Sequence, residues 1–149
     1  MVRKILAGTL FGIMTLAVST QVFAQADVNE KRQKAMKGNS AANKAIKGAV
    51  EAKDYATVET KAKDIMGTAD RIVSLFPKGS TTGKTKAKPE IWEKSEDFGK
   101  AAKRLSNAAG ELASAAKAGN ADDVGVKVKA LGDSCGACHK AFRAEKYGE

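Results

Sequence analysis

The sequence predicts an all-α protein, an antiparallel four-helix bundle, and three observations predict it. Apolar residues recur at spacings of three and four along four stretches of roughly twenty residues, the period of a helix with one buried face. No stretch reads as a strand: strand-favouring residues are scattered, alanine is abundant, and aromatics make up only 5% of the chain. The connections are short apart from one, as antiparallel neighbours in a bundle require.

The chain opens MVRKILAGTLFGIMTLAVSTQVFAQA, with Arg3 and Lys4 ahead of a mostly apolar run from Ile5 to Val18 and no acid before Asp27. Small residues at Val22-Phe23-Ala24 complete the pattern of a secretory signal peptide. A membrane anchor fits less well, because the run is shorter than the roughly 20 residues a span needs and Gly8, Thr9, Gly12 and Thr15 interrupt it. Cleavage is expected after Ala24. Residues 1–24 are then a leader, residues 25–149 form one domain with no membrane span, and loss of Arg3 and Lys4 takes the net charge from +9 to +7.

The first helix is expected from about Asp27 to Lys47, with Val28, Arg32, Ala35, Met36, Asn39, Ala42, Ile46 and Ala49 in helical register. The second starts after Asp54, a plausible N-cap. Tyr55, Val58, Ala62, Ile65, Met66, Ala69, Ile72, Val73 and Phe76 mark its buried face, and Pro77 and Gly79 end it. Residues 77–88, PKGSTTGKTKAK, have no apolar period and form a loop. Bundle connections usually run about 2–8 residues, so this one is long enough to cover something. Pro89 suits a first helical residue. The third helix continues through Trp92, Phe98, Ala102, Leu105, Ala109, Leu112 and Ala116 to a stop at Gly119-Asn120. The fourth begins near Asp122, with Val124, Val128, Leu131, Cys135, Cys138 and Phe142 stepping by four and three. Alanine-rich faces either pack closely or leave room for a large flat guest.

A net positive chain invites a nucleic-acid reading, but the lysines are spread along every segment and mixed with acids rather than clustered with aromatics. An acidic protein partner suits them better. Both cysteines, Cys135 and Cys138, and the only histidine, His139, lie in SCGACHKAFR. Export favours disulfides, yet a two-residue spacing closes too small a loop to stabilise much. A thioredoxin-like pair belongs at a helix start after a strand. A zinc site wants three or four protein ligands converging, and consecutive residues on one turn rarely converge. Covalent haem attachment fits: positions i, i+3 and i+4 share a helix face, so two thiols can anchor haem c while the imidazole of His139 meets its iron.

From Asp27 onward the chain resembles the cytochrome c′ family, c-type cytochromes built as four-helix bundles. The resemblance rests on Arg32-Gln33, Leu75-Phe76-Pro77, Lys88-Pro89-Glu90-Ile91-Trp92, Cys135-Gly136-Ala137-Cys138-His139 and Phe142-Arg143. It implies that Cys135 and Cys138 are thioether anchors and His139 the proximal ligand. It also implies that Arg143 tunes that ligand from one turn away, that Arg32 (through a haem propionate) and Gln33 contact the haem, and that Lys88 and Pro89 meet its edge. Plain surface charge is the alternative for Arg32 and Lys88.

High-spin members of the family leave the far side of the iron open to gases, whereas low-spin relatives of the cytochrome c-556 type place a methionine there. With one histidine, two imidazoles cannot ligate within one chain. After leader removal only Met36 and Met66 remain, and Met66 reads as core. Met36, in a Met-Lys-Gly-Asn stretch similar to the low-spin relatives, is the expected distal ligand, with uncoordinated packing as the alternative. The expected function is periplasmic single-electron transfer by one covalent haem c, with docking to acidic redox partners. Binding of nitric oxide or carbon monoxide at a five-coordinate haem is the alternative. No catalytic acid–base pair is visible, so an enzyme is not expected. Many relatives dimerise, and a homodimer is a further possibility although no second apolar stripe is evident.

Overall fold

The computed structural model describes residues 16–81 and 83–146, with side chains from Asp27 onward. Residues 1–15 of the expected leader lie outside the described residues. The helices are α1 (Leu16–Glu51), α2 (Tyr55–Arg71), the single turn α3 (Glu90–Glu93), α4 (Ser95–Ala118) and α5 (Ala121–Phe142). No strand occurs among the described residues, and Ala87 and Arg143 form an isolated antiparallel bridge. Among the described residues no helix is long and apolar enough to cross a membrane.

The four long helices form an antiparallel square with three tight sides and one loose one. α1 packs on α2, α2 on α4 and α4 on α5, whereas α1 and α5 hardly meet. Alanine explains the tightest side: Ala101, Ala102, Ala108, Ala109, Ala113, Ala115 and Ala116 of α4 are all buried, and small side chains let α2 and α4 approach closely. The far half of the bundle is filled by an aliphatic cluster that includes Ile46, Val58, Ile65, Leu112, Val124 and Leu131. Each such buried side chain contributes about 1.5–3 kcal/mol. A separate cluster of Ile91, Phe98, Ala101 and Phe142, joined by Phe76, Ala87, Trp92 and Cys138, fills the other end.

The helix boundaries follow local chemistry. Asp54 caps α2, its carboxylate accepting from the Thr57 backbone N–H at 3.0 Å and from the Thr57 hydroxyl at 2.6 Å. These bonds hold Asp54 below its ordinary carboxylate value. Asn120 caps α5 by accepting from Asp123 N–H at 3.1 Å, so the helix starts at Ala121, one residue before the expected start. Gly119, at φ 70°, closes α4, with Asn120 N–H reaching back to Ala115 O and Gly119 N–H to Ala116 O.

The same pair of bonds closes α1, from Asp54 N–H to Ala49 O and from Lys53 N–H to Val50 O. Here the left-handed residue is Lys53, at φ 58°. α1 therefore runs to Glu51, past the expected end at Lys47, because Ala49 is still buried. A lysine in this conformation costs energy that glycine does not. Lys53→Gly is expected to stabilise the protein by about 0.5–1 kcal/mol after glycine's own entropy cost, read as a raised denaturant midpoint with unchanged slope.

Two further expectations are corrected. The third helix is not continuous from Pro89: it breaks at Lys94 (φ −118°, ψ 48°) between α3 and α4. The single turn places Ile91 in the aromatic cluster, and its Trp92 indole donates to Phe76 O at 3.2 Å and Pro77 O at 2.9 Å. Val73, expected on the buried face, is 46% exposed. Residues Ile72–Leu75 form a 3₁₀ turn, whose period of about 3.0 residues rotates Val73 outward while Ile72 stays buried.

Candidate haem site

A cavity of about 450 Å³ opens at the aromatic end of the bundle. α1 supplies Asn29, Arg32, Gln33, Met36 and Lys37, and α5 supplies Cys138, His139 and Phe142, with Arg143 just beyond its end. These are the two helices that hardly meet, so the cavity occupies the loose side of the square. Ile72, Phe76, Ile91 and Phe98 add apolar wall, and Lys84 to Ala87 bring in the long loop.

Of the three residues that the helix spacing sets on one face of α5, two reach the cavity wall and Cys135 does not. Cys138 and His139 both face the cavity. Cys135, one turn earlier, packs against the aliphatic cluster while Cys138 packs against the aromatic one, so the two thiols lie at the seam between the cores. Both are free thiols. Burial raises both above the ordinary cysteine value; for Cys138 the charge of Cys135 adds to this and Arg104 opposes it. Raised values are the reverse of what a dithiol redox pair needs. Among the described residues no group of three His, Cys, Asp or Glu could hold a metal ion. Burial, and then the positive charge of Arg143, lowers His139 below its ordinary value. The neutral imidazole this favours is the form that ligates metals.

The end of α5 is held by the segment before α3. Lys88 N–H donates to Phe142 O at 3.0 Å and Ala144 N–H to Lys86 O at 2.8 Å. The Lys88 ammonium reaches Lys140 O at 3.3 Å. Lys88 and Pro89 are not on the cavity wall; Lys84, Thr85, Lys86 and Ala87, just before them, are. Lys88 instead helps cap the helix that bears His139.

Arg32 is 5% exposed. Its Nε donates to Leu75 O at 2.6 Å, its Nη1 to Asn29 Oδ1 at 2.9 Å and Ser80 O at 3.1 Å, and its Nη2 to Ser80 Oγ. Its guanidinium lies 4.2 Å from the Phe76 ring centroid and 5.6 Å from that of Trp92. Burial lowers its pKa to about 10, so it stays charged at neutral pH. The sequence carried no signal for this cradle, whose partners Leu75 and Ser80 lie more than forty residues away. Plain surface charge is ruled out for Arg32 by its burial.

The family model for cytochrome C′ matches residues 27–143. This chain belongs to the cytochrome c′ family. It is 36% identical to cytochrome c-556 of Agrobacterium fabrum over 97% of both chains. It is 44% identical to cytochrome c′ of Rhodospirillum rubrum over 85 residues, 56% of this chain and 58% of that one. The structure of cytochrome c′ from Thermochromatium tepidum superposes with a TM-score of 0.75 at 31% identity, covering 81% of this chain and 97% of that one. As a cytochrome c′ family member the protein is a c-type haem protein of the electron-carrying and gas-binding class, with covalent haem c.

The cavity fits that group. Aromatic and aliphatic walls suit a flat apolar macrocycle, and a thiol and an imidazole stand side by side on one wall. Arg32, Lys37, Lys84, Lys86 and Arg143 are on the wall and no Asp or Glu is, which suits the ring's carboxylates.

Proposed function

We propose that the protein is an exported, periplasmic single-electron carrier whose haem is anchored by Cys135 and Cys138 and ligated by His139 and Met36. The observation that carries this reading is that Met36 and His139 line one cavity from two helices that otherwise hardly touch. Likeness to a cytochrome c-556 over nearly the whole chain supports the same choice. The opening 24 residues, read as a leader, support export.

Bound haem supplies reversible one-electron chemistry at its iron. The chain's residues do the rest. The Met36 thioether favours the ferrous form and closes the distal position. Phe76, Phe98 and Phe142 exclude water from one side, and their rings meet edge to face at 5.0 and 5.2 Å, which holds the wall rigid. Exposed Lys37, Lys84 and Arg143 at the cavity wall steer an acidic redox partner, with a rate that falls as salt rises.

The test is the absorption spectrum, oxidised and reduced, with and without carbon monoxide. The expected parent spectrum is low-spin and indifferent to the gas, and Met36→Ala is expected to become high-spin and to bind it. A parent protein that is already high-spin and shifts with carbon monoxide would make it a gas binder instead.

A further inference from the structure

We propose that residues 86–88 are a strap that positions His139, with Lys88 as the positioning residue. His139 lies in the last turn of α5, where helices fray because their final carbonyls have no partner within the helix. No glycine closes this turn, and the chain leaves it extended at Arg143, with φ −122° and ψ 126°. The partners come from the loop instead. Phe142 O accepts from Lys88 N–H at 3.0 Å, and Lys140 O from the Lys88 ammonium at 3.3 Å. In the other direction Ala144 N–H donates to Lys86 O at 2.8 Å, and the Lys86 ammonium to Glu145 O at 2.7 Å. Ala87 and Arg143 form the bridge between these bonds.

The strap grips the turn on which the ligand depends. His139 O accepts from Arg143 N–H at 2.9 Å, and the strap holds the residues on both sides of Arg143. A cation also suits the negative end of a helix. Lys88 itself is off the cavity wall, but Lys84 to Ala87 line it together with His139. One segment therefore sets both a wall of the cavity and the helix turn that bears the ligand. A fixed turn keeps the imidazole in one orientation as the iron changes oxidation state. The inference rests on His139 as the proximal ligand and holds whether or not Met36 is the distal one.

Two variants loosen the strap by different bonds. Ala144→Pro removes one donor with no change of charge, and Arg143 already has the extended backbone that a residue before proline adopts. Lys88→Met removes the ammonium and keeps the backbone N–H. Both are made in holoprotein carrying Met36→Ala and read in the ferrous state by resonance Raman spectroscopy and amide hydrogen exchange. Each is expected to make the Arg143 amide exchange about tenfold faster, and to broaden the iron–histidine stretching band and move it to lower frequency. Lys88→Arg is expected to keep both at the values of the intact strap. Faster exchange with an unmoved band would reduce the strap to a helix cap and overturn the proposal, and so would unchanged exchange in both variants. No iron–histidine band with the strap intact would instead overturn the ligand reading of His139, and the strap's role with it.

Discussion

A chain in which Cys135 and Cys138 are both serine is expected to release its haem on denaturation and to unfold roughly 10 °C below the parent. The two thiols lie on one helix face three residues apart. One packs on the aliphatic cluster and the other on the aromatic cluster. A group held by both ties the two cores together across the loose side of the bundle, where α1 and α5 do little for each other directly. Losing about 3 kcal/mol of ligand-derived stabilisation lowers the midpoint by roughly 10 °C in a chain of this length. Denaturing electrophoresis with haem staining and thermal circular dichroism measure both effects. A haem band that survives denaturation in the double variant would sink the assignment of the anchors.

Much of this site was legible in the sequence because its chemistry is local. Cys135, Cys138 and His139 fall within five residues, and a helix brings them to one face without help from the rest of the chain. The caps were legible for the same reason: Asp54 reaches Thr57, three residues on, and Gly119 takes the left-handed conformation that a glycine permits. Lys53 hid the end of α1, since a lysine gives no sign of that conformation. The break at Lys94 was hidden because nothing in Glu-Lys-Ser-Glu-Asp stops a helix; the break is accompanied by long-range contacts of Ile91 and Trp92.

Arg32 and the long loop mark the limit in another way. Helical register assigned Arg32 to the inner face, and it is buried there. Besides Asn29, what holds it is Ser80 and the Leu75 carbonyl, beyond the C-terminal end of α2, and no periodicity reports that. The loop's length signalled that it covers something. Which residues line the cavity, Lys84 to Ala87 rather than Lys88 and Pro89, depends on its pairing with the end of α5, a contact between residues more than fifty apart.

The separation into two clusters makes stability and haem environment independently adjustable, and a pair of truncations reveals it. Phe98 is 4% exposed and Leu112 is fully buried. Phe98→Ala is expected to cost about 3–5 kcal/mol and Leu112→Ala about 2–5 kcal/mol, so both lower the thermal midpoint by a similar amount, on the order of 10 °C. Their effects on the haem should differ. Phe98 lines the cavity, and its ring meets Phe76 at 5.0 Å and Phe142 at 5.2 Å. Removing it loosens the packing of Phe142, three residues beyond His139, and lets water approach. Phe98→Ala is therefore expected to broaden and shift the haem bands and to lower the reduction potential, because a wetter surround favours the more highly charged ferric iron. Leu112 belongs to the aliphatic cluster at the other end, off the cavity wall. Leu112→Ala is expected to leave spectrum and potential at parent values despite its unfolding penalty. Equal haem perturbation by the two variants would mean that the bundle transmits packing defects along its whole length, and that the aromatic end is not an independent unit.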